Sequence, residues 1–188
     1  MKLINCIVLA ILIALLGCKS DTDLVALAQR ELKSGVINDS LFLGLRFGME
    51  RKEFFDHCWK INRQGIVTHG TENMSVMYVF EDGSNKKIAF NFYPEFQNNK
   101  TNKYKCSFGY YAWAPWNKDL QSDDLIKVLP TILERWYGGN SFIKVKGSKG
   151  IHYYKIDGNR QIDLHIKDDR LIAAYFTDLT KYPLNFDI

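Results

Sequence analysis

The chain has 188 residues, with 25 lysines and arginines against 21 aspartates and glutamates, and a formal net charge of +4. The lysines are scattered, without the arginine-rich run that would neutralise a phosphate backbone, so the composition argues against a nucleic-acid partner. With 46% hydrophobic residues, of which many are aromatic, the chain can build one compact domain or two very small ones around a packed core.

The first twenty residues have the layout of a secretory signal. Lys2 gives a positive start, residues 7–16 are apolar, and Gly17 is a small residue at the end of the run. The run is too short for a transmembrane helix, which needs about 20 apolar residues. We therefore assign residues 1–17 to a signal peptide, and residues 18–40 to a tether that contains a short helix.

The end of this leader carries a more specific pattern. Leu15-Leu16-Gly17-Cys18 resembles the lipobox of bacterial lipoproteins, in which signal peptidase II cuts before the cysteine. The resemblance implies that Cys18 carries a diacylglycerol and that its freed amino group carries a further acyl chain such as palmitate, which together hold a protein firmly on a membrane. Because Lys19 follows, it also implies an outer-membrane anchor in the cell envelope, facing the periplasm or the cell surface. The alternative is an ordinary cleaved signal in which Cys18 is incidental.

The remainder of the chain repeats one order of predicted elements. An extended entry at 41–49 leads into a helix over 50–62, and a second helix covers 122–137. Each helix is followed by four segments with the alternating pattern of strands: about 65–69, 74–81, 86–93 and 103–113, then 141–146, 151–156, 161–166 and 171–178. The near-constant offset predicts two tandem helix-plus-β-meander units, over residues 41–116 and 117–188. The predicted fold is α+β, an antiparallel sheet with helices on one face.

Two cysteines, Cys58 and Cys106, remain after the leader and the anchor are set aside. Cys58 falls on the apolar stripe of the first helix, and Cys106 alternates with apolar residues of the fourth strand. In an extracytoplasmic compartment the pair can form a disulfide, but cysteine is also often buried as a free thiol. Both alternatives remain open, because sequence does not show how close the two Cα atoms lie.

The segment around the first helix resembles a known family. The stretch Gly44-Leu45-Arg46-Phe47-Gly48-Met49-Glu50-Arg51-Lys52-Glu53-Phe54 is similar to the glycine-methionine motif that opens the first helix of SmpA/OmlA-type outer-membrane lipoproteins. The tandem layout also looks like that of the β-lactamase inhibitory protein. The resemblance implies a non-enzymatic protein that binds a protein partner. Glu50 departs from the motif, which commonly has threonine or serine as the helix cap, and no binding residue is carried over by position.

An aromatic run, Tyr110-Tyr111-Ala112-Trp113-Ala114-Pro115-Trp116, is the best candidate for a binding surface. The strand pattern places Tyr111 and Trp113 on the face away from the core, and Trp116 follows a proline in a loop. Exposed aromatics of this kind serve as a rigid anchor for a protein partner or as a stacking platform for a sugar. Alternatively, other parts of the chain cover them, as they cover most large aromatics.

Candidates for catalysis are few. The four histidines show no metal-ligand spacing, and the chain has no phosphate-binding glycine motif, so the sequence predicts neither a metal nor another cofactor. Asp163 and His165 share a strand face, and His152 joins them if the neighbouring strand pairs in hairpin register. This cluster supports a hydrolase as the weakest alternative, because a solvated polar face explains the same residues. We therefore favour a lipid-anchored, non-enzymatic protein that binds a protein partner, with glycan binding as the second hypothesis.

Replacing Cys18 with serine tests the predicted anchor. We expect Cys18→Ser to abolish incorporation of radiolabelled palmitate and to leave the chain at its precursor length, because the hydroxyl cannot form the thioether that precedes cleavage. Cys6→Ser, a matched change inside the leader, should leave labelling and processing unchanged. Palmitate incorporation by Cys18→Ser at the level of the original chain would contradict the lipobox assignment.

Overall fold

The computed structural model describes residues 21–70, 75–148, 150–184 and 186, so the predicted signal peptide and Cys18 lie outside the described residues. The helices and strands within the described residues are α1 (Asp21–Lys33), α2 (Arg51–Arg63), β1 (Thr68–His69), β2 (Val76–Glu81), β3 (Lys87–Gln97), β4 (Lys100–Tyr110), α3 (Ser122–Tyr137), β5 (Ile143–Gly147), β6 (Gly150–Asp157), β7 (Arg160–Ile166) and β8 (Ile172–Asp178). A short 3-10 helix, Lys118–Leu120, precedes α3.

The strands form one antiparallel sheet in the order β1-β2-β3-β4-β8-β7-β6-β5. Each meander contributes four neighbouring strands, and the last strands of the two meanders, β4 and β8, pair at the centre with Tyr104 opposite Phe176. The order of one helix and four strands occurs twice along the chain, α2 with β1 to β4 and α3 with β5 to β8. This arrangement confirms the predicted α+β fold class.

The main core lies between this sheet and the two helices α2 and α3. Alternating residues of the central strands point to this side, so Tyr104 and Phe108 of β4 are fully buried. Phe42, from the segment before α2, contacts the rings of both Phe90 on β3 and Phe176 on β8, and so joins the two meanders. Apolar residues at helical spacing in α3 complete the core: Leu125, Ile126, Leu129, Ile132 and Leu133.

Helix α1 packs on the opposite face of the sheet. Leu24 and Ala28 are fully buried and cluster with Tyr154 and Ile156 of β6. The neighbouring residue of β6, Tyr153, lies opposite Leu164, which belongs to the main core, so Tyr154 and Ile156 point the other way. The helix predicted within the tether is therefore packed against the sheet, while the two repeat helices share the other face as predicted.

The predicted strands over 86–93 and 103–113 leave a loop over 94–102, and this prediction is wrong. Strand β3 continues through Pro94 to Gln97, and a tight turn at Asn98 and Asn99 leads into β4. Both asparagines have positive φ, 50° and 63°, which is the conformation that a two-residue hairpin turn requires. Proline is tolerated here because, among the described residues, β2 pairs with β3 only as far as Phe92, which leaves this side of β3 unpaired at Pro94.

Two other expectations need correction. Strand β4 ends at Tyr110, not at 113, because the chain turns there: the Tyr111 amide makes a last bond to the Lys87 carbonyl of β3, and the Trp113 amide then donates back to the Tyr110 carbonyl. In α2 the predicted apolar stripe is only partly buried: Phe54, Cys58 and Ile61 lie in the core, whereas Phe55 is 39% exposed and Trp59 is 65% exposed. The predicted strands at 65–69 and 74–81 are shorter, and residue 74 lies outside the described residues.

A buried ion pair holds the second meander to the end of α3. Lys155 is fully buried, and its Nζ lies 2.8 Å from Asp157 Oδ2 and donates to the carbonyls of Gly138 and Asn140. The other oxygen of Asp157 accepts from the backbone amide of Asn140 at 2.7 Å. A Cβ at Gly139, which has positive φ, would lie 2.2 Å from that carboxylate oxygen, so only glycine fits.

Arg160, also buried, extends this pair to the first half of the chain. One of its guanidinium nitrogens lies 3.5 Å from Asp157, and another donates to the carbonyl of Ser40 at 2.8 Å. The guanidinium also stacks over the ring of Tyr137, 4.4 Å from its centroid. The two cations and one carboxylate therefore link β6, β7, the end of α3 and the segment before α2.

We expect Asp157→Ala to destabilise the protein by about 3–5 kcal/mol, because it leaves the buried charges of Lys155 and Arg160 without their carboxylate. Urea unfolding followed by circular dichroism measures the change. Asp56→Ala, which removes the partner of Lys52 in an exposed pair, should cost at most about 0.5 kcal/mol. Equal losses in the two variants would contradict the role given to the buried network.

Candidate functional site

The segment between β4 and the 3-10 helix, residues 111–117, is here called the aromatic loop. Trp116 is 83% exposed and Tyr111 is 58% exposed, whereas Trp113 is half-buried. Among the described residues, no ring contact joins these three side chains, so they do not form one stacked platform. Tyr110 is buried and Trp113 is partly covered, so the alternative that other parts of the chain cover the aromatic run applies to these two residues and not to Tyr111 or Trp116.

Hydrogen bonds give the aromatic loop a fixed shape. The Trp113 amide donates to the Tyr110 carbonyl at 3.1 Å, and the Asn117 amide donates to the Ala114 carbonyl at 3.0 Å. The side chain of Gln121 closes the loop, because its Nε2 donates to the carbonyls of Ala114 and Asn117 at 3.3 and 2.6 Å. Its Oε1 accepts from the indole nitrogen of Trp113 at 3.3 Å. The loop thus presents Trp116 from an ordered backbone.

Charged side chains of both signs surround the aromatic loop. The guanidinium of Arg170 lies 5.5 Å from the ring centroid of Trp113, where a cation interacts favourably with the ring. Lys86 lies 5.4 Å from the centroid of Tyr110 and donates to the Asp119 carbonyl at 3.0 Å. Burial raises the pKa of Tyr110, and the negative charges of Asp82 and Asp124 raise it further. The tyrosine at the base of the loop therefore stays neutral at ordinary pH.

Sequence reasoning missed a second exposed apolar surface, formed by Phe55 and Trp59 on α2. The two residues are one helical turn apart, and the apolar spacing of the helix predicts them on the same buried stripe as Cys58. The rings of Phe55 and Phe96 pack together with their centroids 6.1 Å apart. The guanidinium of Arg51 lies 4.0 Å from the Phe96 centroid. Trp59 extends beyond this cluster into solvent.

The hairpin of β6 and β7 brings the histidine cluster together, as the expected register required. His152 pairs with His165 across the two strands, and His152 Nδ1 lies 2.9 Å from Asp163 Oδ1. His165 Nδ1 lies 3.8 Å from the same oxygen. The cluster is largely covered, since the side chains of His152 and Asp163 are 5% and 14% exposed. A general base must reach the proton that it abstracts, so the covered His152 is poorly placed for hydrolysis.

The two cysteines of the folded part are free thiols, which is the second of the alternatives left open by the sequence. Both are buried in the main core, Cys58 on α2 and Cys106 on β4. Burial in apolar surroundings disfavours the thiolate, so it raises the pKa of Cys58 to about 12 and the pKa of Cys106 well above its usual range. Neither thiol is suited to act as a nucleophile or as a metal ligand.

None of the helices in the part of the chain that the structure describes is long and apolar enough to cross a membrane. Comparisons of the chain with protein-family models, with curated protein sequences and with solved structures found no significant match.

We expect Cys58 and Cys106 to resist thiol reagents in the folded protein at pH 8, because both thiols are buried and burial raises the pKa of each well above its usual range, so both stay protonated. Both should react once the chain is unfolded without reductant, as peptide mapping by mass spectrometry would show. Ser141→Cys, at an exposed position, should react at once in the folded state. A disulfide-linked peptide containing both cysteines would contradict the free thiols.

Proposed function

We propose that this chain is a non-enzymatic lipoprotein of the bacterial cell envelope, anchored through Cys18 to the outer membrane, that binds a protein partner with the aromatic loop. The anchor rests on the lipobox-like leader. The binding role rests on one observation, the 83% exposure of Trp116 on a loop whose backbone is fixed by hydrogen bonds. An exposed tryptophan costs hydration free energy, which burial against a partner would recover.

The geometry of the aromatic loop suits a protein partner. Tryptophan and tyrosine are enriched among the residues that contribute most to protein–protein binding, because they bury a large area with few rotatable bonds. The loop is already ordered by Gln121 and by its own backbone bonds, so association loses little additional chain entropy. We expect Trp116 to enter an apolar pocket of the partner, with Tyr111 packed at its margin.

A glycan is the second candidate, and the structure favours it less. Sugar sites combine a flat aromatic face with free amide or carboxylate groups beside it. The amide of Gln121 has both ends engaged, with Trp113 and with the carbonyls of the loop, and the side chain of Asn117 accepts from the Asp119 amide at 3.3 Å. These groups stabilise the loop and are not directed at a ligand.

The absence of catalysis is part of the proposal. The Asp163 and His152 pair is the best acid-base constellation of the described residues, but the side chain of His152 is only 5% exposed. Both buried thiols are held in the protonated form. The acid-base pair and the two thiols are therefore covered, whereas the exposed side chains of the aromatic loop are suited to binding a partner.

Photocrosslinking in the native envelope tests the binding role. A benzophenone amino acid at the exposed position Ala112 should capture a discrete protein, and we expect Trp116→Ala to reduce that capture by at least about tenfold, since residues of this kind contribute more than ~1.4 kcal/mol to binding. Tyr111→Ala should reduce it less.

Trp59→Ala is the matched control, because Trp59 is a second exposed tryptophan on a different element. It should capture the partner as the original chain does. Unchanged capture by Trp116→Ala would overturn the assignment of the loop, and equal loss in Trp59→Ala would move the binding surface to α2. Specific glycan binding that Trp116→Ala abolishes would replace a protein partner with a sugar.

A further inference from the structure

We propose that His152, Asp163 and His165 form a binding site for a divalent transition-metal ion, of which zinc is the most suitable probe. The site lies on the hairpin of β6 and β7, on the face of the sheet away from the main core. The inference does not depend on the aromatic loop, and no step of the proposed function uses these residues.

The spacing of the donor atoms fits one ion. Zinc lies about 2.1 Å from histidine nitrogens and carboxylate oxygens, so two ligands of one ion are at most about 4.2 Å apart. Asp163 Oδ1 lies 2.9 Å from His152 Nδ1 and 3.8 Å from His165 Nδ1. The donor atoms of all three side chains lie within 4.8 Å of one another, so a small rotation of one imidazole brings them onto a common centre.

The neighbouring side chains hold both imidazoles in place. The ring of His152 stacks on Tyr154 with centroids 5.7 Å apart and planes 12° apart. The ring of His165 stacks on that of Tyr175, with centroids 5.9 Å apart and planes 20° apart. Because the three ligands stand on paired strands, their backbone positions are also fixed. Ligands that are oriented before the ion arrives lose little freedom on binding it.

One buried atom of the cluster lacks a hydrogen bond. His165 Nδ1 is inaccessible to water and has no hydrogen-bond partner among the described residues, and its separation from Asp163 is too long for a hydrogen bond. Buried polar atoms without a partner are uncommon, because they lose their hydration without compensation. A metal ion bound at this nitrogen would satisfy it, whereas a purely structural polar cluster leaves it unexplained.

The donor set indicates the class of ion. Two imidazoles and one carboxylate suit zinc and iron(II), whereas calcium and magnesium prefer ligand sets made of oxygen. Three protein ligands leave at least one coordination position for water. Asp163 also lines an open groove of about 560 Å³, together with Lys103 and Tyr175, which gives an ion and its water a route to the cluster.

Zinc titration of the full chain in detergent, after treatment with a chelator, tests the site. We expect calorimetry to show one zinc ion per chain at micromolar or lower Kd, and Asp163→Asn and His165→Ala to weaken binding by at least about tenfold. Cobalt(II) should give a visible d–d absorption that Asp163→Asn abolishes. His69→Ala, which removes an exposed histidine elsewhere, should bind zinc as the original chain does.

The variants are chosen so that the result is decisive. Asp163→Asn keeps the size of the side chain, and circular dichroism confirms that each variant is folded before titration. The inference is overturned if the folded original chain binds no zinc, if Asp163→Asn and His165→Ala bind it with unchanged affinity, or if His69→Ala accounts for the loss. Failure of this test would leave the crosslinking result at the aromatic loop unaffected.

Discussion

The ion pair between Lys155 and Asp157 is the constraint on which the arrangement of the second half depends. A fully buried ammonium group is tolerated only when anionic and carbonyl oxygens surround it, and here those oxygens come from Asp157 and from the chain just after α3. The end of α3 must therefore lie against β6. Through Arg160, the same carboxylate is tied to the carbonyl of Ser40, so the segment that leads into α2 is positioned as well.

The repeat and most of the sheet could be predicted from the sequence, because alternation along a strand is a local property. The alternation around Cys106 predicts a strand with one apolar face, and Tyr104 and Phe108 on that face are fully buried. Local patterns do not show which strands are neighbours. The predicted loop at Pro94 is wrong because the proline lies in a part of β3 that no described residue of β2 pairs with, and this depends on where β2 begins. The packing of α1 on the opposite face depends in the same way on the position of β6.

The candidate sites were predictable to different degrees. The aromatic run was visible in the sequence. The conformation in which the loop exposes Trp116 depends on hydrogen bonds from Gln121, and these cannot be predicted from sequence periodicity. The approach of His152 to Asp163 followed from hairpin register, whereas the fit of three ligands to one ion needs distances between atoms on two strands. Trp59 shows the limit of helical spacing, since a stripe identifies one side of a helix without showing how far the sheet covers it.

The central pairing of β4 with β8 also has a consequence for how the protein folds. These strands lie at the ends of their respective meanders, so the sheet is completed only when the last strand of the chain reaches the middle of the structure. Contacts between residues so distant in sequence close a long loop of chain and slow the search for the native state. Until β8 arrives, the first meander has an unpaired edge at β4 that invites aggregation, so a chain that crosses a membrane unfolded would benefit from a chaperone that covers this edge.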